Sequence, residues 1–512
     1  MNPAMTTVSR FTRSDYAGLG LVLTAAFLIR VHDLTTGGLW MDELWAATFV
    51  QLGIKDLLVA VIRLDLHPPF YYIQLRAWAA LFGNTDTALL LNSVFWSLAT
   101  LVAIHAATHR IIAPAAALPA TILAAVAAGE VYYAQELRMY AMISALVVLC
   151  WLLADRYRCQ RTWVRGIALV GLVALLAASH AASIVPVYCV MVYLLASLGI
   201  RDCFRPRNFC ILALIGLSTI PALINSQFRG VSHMPVIRME VVAETIAGWL
   251  FGYFPTLSPW IIPLGCIVVA ASLIAGMTSH PARAMILSFI VWPVFFVLVI
   301  SFLVRSIWIP RMMEFCSPFV CIAIAATAER AWNNSKTRSA RIAAAVLAGG
   351  FVALMTLSSL RQGGEGRKME YREAAEFLRS HVTPGAVVYI PEHVTFWGIA
   401  RYFVGPDWGN ALAIQDPIRP GRSVSWDPVY AKLGPDWLRW LNLLPEKRAV
   451  QADGVRLIIG WSPSHEVQDA RTVWLVGSGN VLPDELALGD LSLKTQVQFR
   501  GVMIQELHQG VQ

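Results

Sequence analysis

Apolar segments near the length needed to cross a lipid bilayer recur from the N-terminus to about residue 360, and no other feature constrains this chain so tightly. Roughly 20 helical residues span the ~30 Å of bilayer hydrocarbon. About eleven segments fit that description, near residues 16–31, 87–107, 111–129, 137–154, 164–179, 182–200, 209–225, 257–279, 284–304, 312–331 and 342–360. With 57% hydrophobic and 14% charged residues, the 512-residue chain is too apolar for a water-soluble globule. The expected fold is an α-helical polytopic membrane protein with about eleven transmembrane helices and a smaller soluble part at the C-terminus.

Orientation follows from basic residues, because cytoplasmic loops retain Lys and Arg more readily than translocated ones. One set of loops carries Arg10 and Arg13, Arg110, the group Arg156, Arg158, Arg161 and Arg165, then Arg201, Arg205 and Arg207, Arg283, and Arg330, Lys336, Arg338 and Arg341. The alternate loops, about residues 32–86, 130–136, 226–256 and 305–311, are longer in total yet poorer in base, and are expected outside. The N-terminus is then cytoplasmic and, with an odd number of spans, the tail is periplasmic in a bacterial inner membrane. The net charge of +8 reflects this topology and marks no nucleic-acid patch. Arg10 and Arg13 precede a short apolar run in the manner of a signal peptide, but no convincing small-residue cleavage site precedes Arg30, so the segment reads as an anchor. All eight cysteines lie before residue 322, none in the tail, and their spacing suggests neither a disulfide framework nor zinc.

The composition divides the chain into a membrane domain, residues 1–360, and a periplasmic domain, residues 361–512. The tail reads as a small α/β domain, with helices at Tyr371–Ser380 and His393–Phe403 and strands at Gly385–Ile390, Ala411–Ile414, Val455–Ile459 and Thr472–Val476. No repeat, low-complexity tract or Gly-rich phosphate loop is present.

Chemistry is sought where polar groups are hardest to explain, in the outward loops lying against the membrane. The first reads Gly37-Gly38-Leu39-Trp40-Met41-Asp42-Glu43-Leu44-Trp45 and, about twenty residues on, Asp65-Leu66-His67-Pro68-Pro69-Phe70-Tyr71-Tyr72. Adjacent carboxylates between tryptophans suit proton transfer from an acceptor hydroxyl or amine, with Asp42 the first candidate and Glu43 beside it. The same pair would equally serve as the N-terminal cap of an interfacial helix, since Trp prefers the headgroup layer. His67, held by two prolines that cannot continue a helix, offers an imidazole for substrate or simply ends one interfacial helix before Phe70–Phe82 begins the next. Glu136 and Arg138, in Tyr133-Ala134-Gln135-Glu136-Leu137-Arg138-Met139-Tyr140, stand at the mouth of a span, where ionisable groups are functional or paired with each other. Arg305 and Arg311 flank a short outward loop, placed for a phosphate or pyrophosphate or for snorkelling to headgroups.

The Asp65–Tyr72 string, the Trp78–Gly83 stretch, the Tyr133–Tyr140 segment and the Pro310-Arg311 turn resemble the integral-membrane class C glycosyltransferases, in particular bacterial members akin to protein O-mannosyltransferases and the lipid A aminoarabinose transferase. The resemblance covers about residues 15–360, with several motifs in order on one expected side, and does not extend into the tail. It implies eleven or more transmembrane helices with interfacial helices in the first outward loop. It also implies transfer of a sugar from a polyprenyl-phosphate carrier, usually with inversion, to an envelope glycolipid, glycan or protein acceptor. Under it Asp42, with Glu43 beside it, matches the family's base or acceptor-orienting acidic residue, Glu136 matches its second acidic position, and Arg311 falls near the carrier phosphate; on the chemistry of the residues themselves, His67, Tyr71, Arg138 and Arg305 join Arg311 as candidates for substrate contact. A Mg²⁺ or Mn²⁺ ion held by Asp42 and Glu136 is compatible with it, though the spacing demands none.

Two other classes stay open at this stage. A transporter or lipid flippase would be expected to carry repeated halves and broken helices near mid-membrane, and neither is evident, while the ionisable groups gather at outer span ends. A scaffold with a periplasmic binding tail would leave the named residues replaceable.

Overall fold

The computed structural model of the chain describes residues 11–65, 67–227, 236–252, 260–304, 306–362, 368–408, 413–416, 447–459, 467, 470–477 and 491–509. Eight helices are long and apolar enough to cross a membrane, or nine if the bent pair Pro114–Val126 and Ala128–Ala134 is one span. Two further expected spans are present as shorter apolar helices, Trp163–Ala177 and Ile261–Gly276. The protein is therefore a multi-pass membrane protein, and the expected count of eleven stands at eight or nine by length, plus these two short helices, among the described residues. Large apolar side chains lie exposed on these helices, with Leu21 at 75% and Leu303 at 79%, as a lipid solvent permits and water does not.

Contacts divide the chain into two compact units. The first comprises Met1–Leu34, Leu66–Tyr71 and Leu90–Glu365, and holds the membrane helices. Its interior packs aromatic rings, Phe289 stacking on Phe319 at 4.3 Å with Trp151 edge-on to both. The feature that shapes its site is the break between Val126 and Ala128, where Ala127 is extended and the chain turns by 60°. A helix that ends where water does not reach strands its last carbonyls, which are costly to bury unless paired. Arg30, fully buried in the last turn of the Arg13–Val31 helix, answers that need. It donates to the carbonyls of Ala125 at 2.8 Å and Ala124 at 3.4 Å and to the Ser97 hydroxyl at 2.8 Å. The Ser359 hydroxyl donates to the Val126 carbonyl at 2.7 Å.

The second unit comprises Thr35–Asp65, Tyr72–Leu89 and Gly366–Gln512, so residues 35–65 and 72–89 group with the C-terminal sheet, while 66–71 between them belong to the membrane unit. The loop forms helices Met41–Phe49 and Ile54–Leu64, and the Phe70–Phe82 helix begins after the two prolines as the sequence predicts. The C-terminal part is a seven-stranded mixed sheet of β1 (Val387–Ile390), β2 (Ala413–Asp416), β3 (Lys447–Ala452), β4 (Val455–Ile459), β5 (Thr472–Gly477), β6 (Leu491–Phe499) and β7 (Val502–Gln509). Their order is β2-β3-β4-β1-β5-β7-β6, with β1 central and parallel to β4 and β5. Of the expected strand at 411–414, Ala411 and Leu412 lie outside the described residues. Helices Tyr371–His381 and His393–Phe403 pack together, close enough that a side chain at Gly398 would meet the Tyr371 ring at 2.5 Å.

Candidate functional site

In the membrane unit the break at Val126 sets the course of residues 128–140. Ala128–Ala134 is a short helix, residues 135–139 turn, and Tyr140–Cys159 descends again. Gln135 holds this turn against the end of the first helix, its side-chain amide donating to the carbonyls of Arg30 at 3.1 Å and His32 at 2.8 Å. The Ser93 hydroxyl donates to the Glu136 carbonyl at 2.6 Å. Glu136 and Arg138 are thereby fixed and buried, 3% and 6% exposed.

A cleft near the start of the Tyr140–Cys159 helix is lined by Tyr140, His180, Arg311 and Glu314 together with Ile143, Ala182, Ser183, Pro186, Met312 and Phe315. The Ala182 N–H donates to His180 Nδ1 at 2.8 Å, so a neutral His180 ring carries its proton on Nε2. His67 stacks on His180 at 4.1 Å. Burial, with the neighbouring Arg138 and Arg311 charges, holds the His67 imidazole well below its ordinary value, which keeps it neutral. Tyr133 lies in electrostatic range of Glu314 and Glu136, and its ring meets Tyr140 edge-on at 5.0 Å. Gly129 packs against Glu314: a Cβ there would sit 2.8 Å from Glu314 Oε1 and 2.9 Å from the Gly248 carbonyl.

Four of the residues singled out in the sequence, His67, Glu136, Arg138 and Arg311, thus share one polar region of the membrane unit. Tyr71 lies 1% exposed in the first turn of a helix whose first N–H, that of Phe70, donates to the Ala178 carbonyl at 3.0 Å. Arg305 lies outside the described residues. Three residues of this region escaped sequence reasoning. Glu314 was concealed inside an expected span, where an unexplained carboxylate is itself a signal. Arg30 read as a span end, and His180 as a short linker residue.

Asp42 and Glu43 belong to the second unit, in the first turn of the Met41–Phe49 helix. Here the capping role foreseen for the pair falls to Glu43, which accepts from the Trp40 N–H at 3.0 Å. It is fully buried, and Lys368 Nζ lies 3.0 Å from each of its carboxylate oxygens. Asp42 is half-buried beside it. A second, partly buried network joins Asp86 to the buried Arg401 at 2.8 Å, to Arg372 at 3.0 Å and to the Tyr402 hydroxyl at 2.6 Å. Burial and the Asp86 carboxylate push the Tyr402 phenol well above its ordinary value, so its O–H is the donor. Among the described residues no three His, Cys, Asp or Glu side chains are placed to hold a metal ion.

No protein-family model matches the chain, and no curated protein matches it in sequence. Solved structures do match. ArnT from Cupriavidus metallidurans, in the apo state, aligns at a TM-score of 0.59 with 13% identity over 96% of this chain and 98% of its own. The same protein bound to undecaprenyl phosphate aligns at 0.57 with 13% identity over 97% and 98%. An oligosaccharyltransferase from Archaeoglobus fulgidus aligns at 0.48 with 10% identity over 76% of this chain, which spans 64% of that protein's length. ArnT is a lipid A aminoarabinose transferase of the class C glycosyltransferase group, and this chain is similar to it in fold over the aligned residues.

Proposed function

We propose that this protein is a glycosyltransferase of the bacterial inner membrane that moves a sugar from a polyprenyl-phosphate carrier to an envelope glycolipid, glycan or protein at the periplasmic face, with inversion. The N-terminus is then cytoplasmic and the sheet domain periplasmic. The observation that carries this reading is the cleft in which Arg311, His180, Tyr140 and Glu314 converge, with His67 and Arg138 at hand. A fold shared with ArnT over nearly the whole chain, in a structure of that protein bound to undecaprenyl phosphate, supports it.

The chemistry asked of the residues is modest. The acceptor oxygen or nitrogen attacks the anomeric carbon, the bond from that carbon to the phosphate oxygen breaks, and the polyprenyl phosphate leaves with the electron pair. The acceptor's proton passes to a carboxylate, and Asp42 is assigned that role, with Glu136 as the second acid. Charge growing on the phosphate is met by Arg138 and Arg311, whose planar forks bind two oxygens at once, and by the Nε2–H of His180. Tyr71, His67 and Arg305 are assigned to substrate contact. Preorganised donors in a site shielded from water stabilise such charge far better than the same groups in bulk solvent.

The test is mass spectrometry of envelope glycolipids and glycans from a deletion strain carrying the wild-type gene or Asp42→Asn at matched protein level. Wild type should restore one sugar increment, and Asp42→Asn should fall short by about 100-fold or more in rate. Equal restoration by both would remove Asp42 from the base role, and a deletion that changes no glycoconjugate would overturn the transferase reading.

A further inference from the structure

The segment Gly37–Trp45 is gripped at successive points by residues of the C-terminal part of its own unit. Lys368 lies so close to Gly37 that a Cβ there would meet the lysine's Cβ at 3.2 Å. Gly38, at φ +65°, passes under the Tyr402 hydroxyl, which a Cβ would approach to 3.0 Å, so this position requires glycine on both conformational and steric grounds. The Leu39 N–H donates to Tyr402 Oη at 2.6 Å, and the same hydroxyl donates to Asp86. Trp45 meets Trp397 edge-on at 4.8 Å.

The Lys368 contact is anchored in turn by the β6–β7 hairpin. The Glu370 N–H donates to the Arg500 carbonyl at 3.0 Å, and the Arg500 N–H donates to Glu370 Oε2 at 3.1 Å. What the Glu43–Lys368 pair accomplishes is not obviously stability. Burying two charges costs several kcal/mol per ion, and an apolar pair of similar volume would often hold the helix as well. An ion pair adds direction. Successive residues of an α-helix lie about 100° apart around its axis, so a bond that fixes Glu43 also fixes the rotation of the helix and hence the bearing of Asp42. A misplacement of about 1 Å in a reacting group can cost on the order of 100-fold in rate.

We infer that Lys368 and Tyr402 are positioning residues for Asp42, and that the C-terminal domain's part in the reaction is to set the rotation and entry path of the Met41–Phe49 helix. This rests on the assignment of Asp42 as the base. The two assignments separate in one experiment on the full-length protein. In the deletion strain, new sugar increments are followed by mass spectrometry after a ¹³C-glucose pulse, for wild type, Asp42→Asn, Lys368→Met, Lys368→Arg and Tyr402→Phe at matched protein levels. Hydrogen exchange of the purified proteins in detergent is read over residues 37–49.

Lys368→Met should lower the rate at least tenfold and raise exchange across residues 37–49, Lys368→Arg should recover most of the rate, and Tyr402→Phe should give a smaller loss in the same direction. Rescue by arginine marks the charge pairing rather than mere bulk. If Asp42→Asn is inactive while Lys368→Met and Tyr402→Phe transfer at the wild-type rate, the positioning role is wrong and the base assignment stands. If Asp42→Asn transfers normally, the base assignment fails first. If Lys368→Met does not accumulate, Tyr402→Phe decides alone, because it deletes one oxygen and leaves the packing in place.

Discussion

Two buried glutamates, Glu43 in the sheet-bearing unit and Glu314 in the membrane unit, are 0% and 2% exposed, yet their surroundings differ in kind. Glu43 has an ammonium 3.0 Å from each oxygen and a backbone N–H on one of them, and glycines bring the chain close around it. Glu314 forms part of a cleft wall together with Arg311, His180 and Tyr140. Burial alone therefore does not single out a working carboxylate. What differs is the setting: Glu43 faces the ammonium of Lys368, whereas Glu314 lines a cleft, the kind of concave place in which ligands bind.

The sharpest way to break this distinction is to remove a scaffold charge. Asp86 is paired with Arg401, whose side chain is 3% exposed, with Arg372 and with Tyr402. Asp86→Ala leaves a buried guanidinium without its counter-charge and should lower stability by about 3–5 kcal/mol, whereas Asp86→Asn, which keeps one acceptor, should lose less. Urea unfolding of the purified protein in detergent measures both, and a loss below about 1 kcal/mol for the alanine variant would show that the network is ornamental. In the membrane unit the corresponding probe is Gly129→Ala. One of the three atoms its methyl would meet is the Gly248 carbonyl oxygen, part of the backbone and unable to swing aside, so a loss of about 1–3 kcal/mol is expected in the same measurement. Gly171→Ala, with nothing within 4 Å, is the matched control and should gain about 0.5–1 kcal/mol from helix propensity.

The same contrast explains what could be read from the sequence. Spans are announced by long apolar runs, and the Phe70–Phe82 helix by the prolines that precede it. In the tail, Val455–Ile459 and His393–Phe403 were legible because compact apolar patterning marks them. Strands β3, β6 and β7 were missed; β6, Leu-Ser-Leu-Lys-Thr-Gln-Val-Gln-Phe, is largely exposed at the sheet edge and offers no apolar run. His67, Glu136, Arg138 and Arg311 stood out because ionisable groups at span mouths are costly. Lys368 could not: it pairs with a residue 325 positions away, and a single lysine in a polar segment carries no local signal. Arg30 was hidden for a different reason, since an arginine in the last turn of a span is the ordinary place for one to snorkel, and only the broken helix beside it reveals its use.

The smallest effect tests the cleft side of the comparison through pH. The folded protein holds His67 well below the ordinary histidine value of 6.5, by burial first and then by the Arg138 and Arg311 charges. The unfolded chain takes up a proton at His67 as the pH falls through 6.5, whereas the folded protein does not, so the unfolded state gains proton-linked stabilisation and folding stability declines. The stability is complete above that value and is lost below it, by at most about 1.4 kcal/mol at pH 5.5. His67→Gln, which keeps a polar planar group without a titrating proton, should flatten the stability profile between pH 7.5 and 5.5, leaving it parallel to wild type only above 7. If the variant and the wild type lose stability alike over that range, His67 is not held neutral in the folded protein. The imidazole beside the two arginines would then be free to charge, and the cleft would present three cations to an anionic ligand at acid pH instead of two.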